Sequence, residues 1–447
     1  MNASTSSSFS ALTRRSLIRC GALAAAGLLV GRRTGFAAPP SATFPAKAKA
    51  VIQIWLWGGP SHIDTFDPKP EAGNDYCGPL NKPLETNVAG IRISELMPEL
   101  AKQADKYSLI RSMTHGSGGH ETGAYMIQTG HAEGDRLVYP SIGAVVSLFK
   151  GYDAGYKGIL PPYIVLTEPQ GRFSEAGFLG PRYKPFATGG DPAKDPFAVQ
   201  GIVAEGITEK RQLARRGLLG SIDTFGAAMK GDPKLAEFNT CGDAAYDMIL
   251  GDGAKIFDLA QEGDPMREWY GRTRFGQSCL AARRLVERGC KYVTINFKGW
   301  DTHKQHFQAM RQKLPDLDRG LAALLQDLST RGLLDSTIVW VGGEFGRTPK
   351  VQWEAPWNGG RSHYGKVFSM LVAGGGFKGG HVVGASDARG EDVASRPVYP
   401  WDLIGSMYEL LGIDPDSPFP RMGDDNVRLT QQITGNIQSG GRLKEIM

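Results

Sequence analysis

The sequence predicts an α/β domain: a mostly parallel central sheet with helices on both faces and an inserted subregion. Two observations predict it. Short apolar runs that read as buried strands alternate with longer stretches of helical periodicity. Polar residues gather just after those strands or at helix starts, where open parallel sheets place their sites. With 447 residues and 41% hydrophobic content, the chain is long enough for one large domain or two ordinary ones.

The elements follow in order. KAVIQIWLW at 49–57 is a short apolar run stopped by Gly58-Gly59, the pattern of a buried strand. Helical periodicity follows at about 94–105, then a strand at 107–112 (YSLIRS). The glycine-rich loop 116–119 precedes a helix at 120–129. A helix at 140–149 and a strand at 162–167 (PYIVLT) come next. Residues 168–265 are rich in Gly, Pro and polar residues, with helical patches near 207–229 and 243–260, and read as an insertion covering the core. The alternation then resumes: helix 266–288, strand 291–297, helix 304–331, strand 336–342, strand 366–373 and helix 400–411.

The N-terminus reads as a targeting segment. Thr13-Arg14-Arg15-Ser16-Leu17-Ile18-Arg19, the apolar run Cys20 to Val30 and the small residues near Ala37 have the pattern of a twin-arginine (Tat) export signal over 1–37. The apolar run is short for a membrane span. That segment holds five arginines and no acidic residue. Removing them from 51 basic residues leaves 46 against 46 acidic ones, a net charge of zero. A neutral mature chain argues against nucleic acid or an anionic surface as a partner. Cys77, Cys241, Cys279 and Cys290 are widely spaced and form no zinc-ribbon pair; buried thiols and disulfides both remain open.

Chemistry gathers around six of the eight histidines, in four clusters. The first strand is followed by Ser61, His62, Asp64 and Asp67, the last of these read as a turn residue. After the second come His115 and His120-Glu121-Thr122. Strand 291–297 leads into Asp301, His303 and His306. Strand 336–342 leads into Glu344 and Arg347, with His363 soon after. Imidazole with carboxylate, and no thiolate nearby, suits zinc, manganese or iron. A glycine loop before a helix start also offers backbone N–H groups to an anion, and Arg347 is a candidate clamp for an anionic oxygen.

The order WLWGGPSHIDTFDPKP, HETGAYMIQTG, GWDTHKQH, GGEFGRTP and GRSHYG, over about 48–415, resembles a secreted bacterial family known as "domain of unknown function fifteen-oh-one", which is placed in the alkaline phosphatase and sulfatase superfamily. The resemblance implies an alkaline phosphatase-like fold over 48–415, a C-terminal tail at 416–447 and a two-metal core. Ser61, His62 or Asp64 stands near the superfamily's first Asp. The superfamily's nucleophile precedes a Thr-Gly by nine residues; here Thr129-Gly130 is preceded by His120, not by Ser, Thr or Cys, and Thr122 is the nearest hydroxyl. Asp301 with His303 or His306 matches a later Asp-His pair. Glu344-Phe345 keeps the carboxylate of another and loses the imidazole. His363 matches the last histidine. The sulfatase signature Cys-x-Pro-Ser-Arg is absent.

The expectation is an exported hydrolase of phosphate or sulfate esters, periplasmic or secreted, handled by the Tat translocase and using one or two divalent ions, zinc or manganese foremost. Its substrate is a small-molecule or polysaccharide ester. One metal position is expected from Asp301, His303 or His306, and His363; the other from Asp64 or His62, Glu344 and His120. For His120, the roles of ligand, nucleophile and ordinary helix-start residue stay open. The alternative is a catalytically inactive member of the fold that binds a glycan or anion in the envelope.

Overall fold

A computed structural model describes residues 44–134, 137–169, 175–200, 209–222, 252–420, 422, 427–431 and 437–447. The export segment, Cys241 and the start of the 243–260 patch lie outside these residues. The central sheet has eight strands: β1 (Ala50–Trp55), β2 (Tyr107–Met113), β3 (Tyr163–Leu166), β4 (Phe186–Ala187), β5 (Tyr292–Asn296), β6 (Thr337–Gly342), β7 (Phe368–Ala373) and β8 (Val382–Val383). Their order is β8-β2-β7-β6-β1-β5-β3-β4. Only β7 runs against its neighbours β6 and β2; the other pairings are parallel. The carboxyl ends of β1, β2, β3, β5 and β6 therefore share one edge of the sheet, and the start of β7 joins them there.

Strand β1 shows why the sheet has two covered faces. All six of its residues are buried. Ala50, Ile52 and Ile54 pack into one core with helices α3 (Arg274–Glu287) and α4 (His306–Thr330). Val51 and Trp55 point the other way, into a core with α1 (His120–Thr129), α2 (Ile142–Lys150) and α5 (Pro400–Leu410). Period-two alternation with apolar residues on both sides is the mark of a strand buried on both faces. Each fully buried Ile or Leu contributes about 1.5–3 kcal/mol relative to an exposed one.

Local signals set the helix ends. Gly130 closes α1 in the left-handed region (φ 73°), a conformation that favours glycine. Ser141 caps α2 and Thr273 caps α3 through their hydroxyls. Two expected helices differ from the structure. The 94–105 stretch is only a four-residue turn, Pro98–Ala101, and a 3₁₀ turn, Ala104–Lys106. Its carbonyls are taken by other segments: Asn87 N–H donates to Ala101 O and Gly380 N–H to Ala104 O, both at 2.9 Å. The 266–288 stretch is two helices, Gly263–Tyr270 and α3, because Gly271 closes the first at φ 87° and Thr273 starts the second.

Within the 168–265 stretch, Phe186–Ala187 forms β4 at the margin of the sheet. The described cysteines, Cys77, Cys279 and Cys290, are buried free thiols, so none of these three forms a disulfide. Asp67 is more than a turn residue: it is buried and pairs with Lys69 at 3.1 Å and Arg111 at 3.4 Å. Among the described residues, no helix is long and apolar enough to cross a membrane.

The exits of β1 and β5 touch at Gly58. Its φ is 116°, and a Cβ there would stand 2.2 Å from the Asp301 nitrogen. Gly155 has φ 80° but nothing within 4 Å of an added Cβ. Gly155→Ala is expected to cost only the left-handed penalty, about 1–2 kcal/mol. Gly58→Ala adds a backbone collision and should lower the urea midpoint several times as far. Equal shifts for the two variants would contradict this packing.

Candidate metal centre

Four sequence-predicted residues converge at the shared strand edge: His120 at the start of α1, Asp301 and His303 after β5, and His363 before β7. His120 Nε2 lies 3.3 Å from Asp301 Oδ2. His303 Nε2 and His363 Nε2 lie 3.1 and 3.2 Å from Asp301 Oδ1 and 2.9 Å from each other. His120, Asp301 and His363 each offer a ligand atom within 4.8 Å of the others. Their side chains are 24–45% exposed, so a solute can reach them.

Two hydrogen bonds orient the imidazoles. Glu344, fully buried, binds His120 Nδ1 at 2.6 Å and accepts from Gly58 N–H at 2.9 Å. His363 Nδ1 donates to Gly118 O at 2.8 Å. With Nδ1 engaged as the donor, each Nε2 turns a lone pair toward the Asp301 carboxylate. Lone pairs facing carboxylate oxygens repel unless a proton or a metal ion lies between them. Glu344 in particular raises the pKa of His120 against the effect of burial. Burial works to raise the pKa of Asp301, but Arg347, His363 and His120 hold it down to about 2. For His303, burial lowers the pKa. Imidazoles beside an ionised carboxylate are the donor set that zinc or manganese takes. Metal–ligand bonds of 2.0–2.1 Å in a tetrahedral site imply ligand–ligand edges of about 3.3 Å, near the 3.1–3.3 Å from each imidazole Nε2 to an Asp301 oxygen.

The other expected residues stand elsewhere or do other work. Glu344 is buried behind His120, bonded to its Nδ1. Arg347 is not an anion clamp: it is fully buried, its Nε donates to Gly59 O at 3.1 Å, and its remaining nitrogens bind Gly58 O, Arg361 O and Asp301. The Thr122 hydroxyl donates to Glu133 at 3.0 Å. His62 is buried, with Nε2 2.9 Å from Gly390 O, and burial lowers its pKa.

Asp64 and His306 form a separate buried group. Asp64 Oδ2 accepts from His306 Nε2 at 2.8 Å and from the Ser61 hydroxyl at 2.6 Å, Asp64 Oδ1 accepts from Arg361 Nη2 at 3.3 Å, and Arg361 Nε stands 2.8 Å from Oδ2 as an ion pair. His306 Nδ1 faces the Thr302 hydroxyl at 2.6 Å. Both Asp64 and His306 side chains are 0% exposed and are engaged with each other. Burial alone would push the Asp64 carboxyl up, but Arg361 and His306 hold it well below the usual carboxylate range. Arg361 carried no expected role, although its place two residues before His363 was a signal for one. His115 is a neutral prop: its Nε2 donates to Glu344 O at 2.6 Å, its Nδ1 accepts from Ser117 N–H, and burial pushes its pKa down to about 4.

A prediction follows from the Asp64 group. Asp64→Asn leaves Arg361 buried without its counter-charge and should cost about 3–5 kcal/mol in urea unfolding at pH 7. The folded pKa lies below the unfolded value of about 3.9, so Asp64 contributes its stability above that value and loses it as pH falls toward the folded one. The difference between wild type and variant should therefore hold from pH 7 to 5 and shrink below about pH 4. A difference that stays constant down to pH 3 would contradict the pairing.

No curated protein matches the chain. Among solved structures, the lipoteichoic acid synthase LtaP from Listeria monocytogenes is 10% identical over 86% of this chain and 75% of its own, with a TM-score of 0.38. A protein in the alkaline phosphatase superfamily from Vibrio parahaemolyticus is 11% identical over 88% and 72%, with a TM-score of 0.39. The PsFucS1 sulfatase from Pseudoalteromonas sp. is 12% identical over 82% and 68%, with a TM-score of 0.36. The family described as "Protein of unknown function (DUF1501)" matches residues 48–439, most of the 447-residue chain, and the chain belongs to that family.

Proposed function

We propose that the chain is an exported, metal-dependent hydrolase of phosphate or sulfate esters, sent to the periplasm or beyond by the Tat translocase. One observation carries the proposal: His120, His303 and His363 close around the ionised, solvent-accessible carboxylate of Asp301. These four residues would hold a divalent ion, zinc or manganese. Such an ion polarises a phosphoryl or sulfuryl oxygen and activates a nucleophile. The chain's own contribution is orientation. Glu344 fixes the ring of His120 from behind, as outer carboxylates do for ligating imidazoles. Arg347 holds Asp301 against the Gly58 turn.

A second reading has its own observation. The Arg347 guanidinium is bonded to the same Asp301 oxygen that faces His303 and His363. A cation already at that carboxylate opposes a second one. In this reading the centre is filled by Arg347, and the protein binds a glycan or anion without turning it over.

Elemental analysis of purified protein separates the two. The hydrolase reading expects at least one equivalent of zinc or manganese, lost on chelation and lost in Asp301→Ala and His363→Ala. Metal-free protein that takes up no ion on dialysis would overturn it. Glu344→Gln is expected to weaken metal binding by about 10–100-fold, the usual cost of losing an outer-shell partner, measured by competition with a chromophoric chelator. Unchanged affinity would show that Glu344 does not act through His120.

A further inference from the structure

The family resemblance implies two ions, one at Asp301 and a second held by Asp64 or His62, Glu344 and His120. The second set does not fit an ion. Ligand atoms on one ion, with bonds of 2.0–2.2 Å, stand no more than about 4.4 Å apart. Among the described residues, three or more His, Cys, Asp or Glu ligand atoms come within 4.8 Å of one another only around Asp301. His120 faces Asp301 through Nε2, and its Nδ1 is bonded to Glu344 at 2.6 Å. The two Glu344 oxygens also accept from Gly58 N–H, at 2.9 and 3.2 Å. His62 keeps one buried nitrogen, Nδ1, without a hydrogen-bond partner among the described residues. One free imidazole nitrogen is a single ligand, not a site.

Asp64 carries the argument, because its counter-charge is part of the chain. Arg361 Nε stands 2.8 Å from Oδ2, and Nη2 donates to Oδ1 at 3.3 Å. His306 and the Ser61 hydroxyl also donate to Oδ2. The guanidinium is fixed from its far side. Nη1 donates to Thr348 O at 2.9 Å and to Pro349 O, and Nη2 donates to Tyr76 O. The Phe307 ring lies 5.5 Å from its central carbon, and the whole side chain is buried. A divalent ion on either Asp64 oxygen would stand within about 5 Å of this guanidinium, in a place with little water to screen the repulsion. Arg347 adds a second fixed cation: it is buried too, and its Nη1 donates to Arg361 O at 3.3 Å. A guanidinium keeps its charge throughout the pH range of proteins, whereas a bound ion comes and goes with its concentration.

We propose that the chain takes a single divalent ion, at Asp301, and that the Arg361 guanidinium is the permanent cation of Asp64 in place of a second ion. The proposal rests on the hydrolase reading and adds the ion count and the residue that supplies the other charge.

The test is an ion count on untagged, chelator-stripped protein. The protein is dialysed against excess zinc or manganese, freed of loose ions by gel filtration and analysed for metal per chain. Electron paramagnetic resonance of the manganese form gives a second readout. One equivalent and the spectrum of an isolated ion are expected. Asp301→Ala should lose that equivalent, whereas a two-ion centre would keep the ion at Asp64. His363→Ala makes the same distinction should Asp301→Ala fail to fold. Two equivalents in wild type, or an exchange-coupled manganese spectrum, would overturn the one-ion proposal and leave the hydrolase reading standing. An equivalent that survives the substitution would place the ion away from Asp301 and overturn it as well. Wild type that takes up no ion would bring down both readings together.

Discussion

The buried carboxylate of Asp64 is the constraint on which the rest of the site depends. It sits between Arg361 and His306, fully out of water. A carboxylate in that position is tolerable only while its partners stay close, because an unpaired buried charge is among the costliest defects a protein can carry. The three partners come from three places: the exit of β1, the approach to β7 and the first residue of α4. Holding them together holds their neighbours. Asp301 and His303 lie just before His306, and His363 lies two residues after Arg361. Thr302, between Asp301 and His303, is bonded to His306 itself. The solvent-facing residues are therefore positioned by a polar group that no solute touches.

Charge placement around Asp301 follows from the same economy of contacts. Glu344 and Arg347 come from one short stretch after β6 and reach opposite sides of the centre. Glu344 pulls on His120, and Arg347 pulls on Asp301. Both also grip the backbone of Gly58, Glu344 through its N–H and Arg347 through its carbonyl. The β1 exit turn is thus clamped between a carboxylate and a guanidinium, and Asp301 packs against it closely enough to exclude a Cβ. The balance between Arg347 and an incoming metal ion is a competition for one carboxylate. For the proposed metal ion, three imidazoles around that carboxylate would add ligand atoms to this competition.

Much of this was legible in the sequence. Runs such as AVIQIW and TIVWVG have one way to be buried in an α/β domain, and they became β1 and β6. The four clusters were visible because histidines are few and lie beside strand ends. What pattern could not supply was direction and depth. His62, Asp64 and His306 look like ligands in the chain, yet packing buries them. Whether a strand-end carboxylate faces solvent or an arginine depends on a residue almost 300 positions away, Arg361 in the case of Asp64. The broken 94–105 helix has the same origin: its carbonyls found partners distant in sequence, which local periodicity cannot reveal.

The reversed strand explains how His363 reaches the site. Parallel strands deliver only the loops at their carboxyl ends to this edge, and β1, β2, β5 and β6 do so with Gly58, His120, Asp301 and Glu344. A further parallel strand would have placed residues just before it at the opposite edge. Because β7 runs antiparallel to β6, the chain returns along the same edge before entering it. Residues 346–347 and 363–364 pair there as a short antiparallel ribbon, with His363 opposite Arg347. That pairing sets His363 beside the residue that holds Asp301, so one reversal of strand direction brings the last imidazole to the carboxylate.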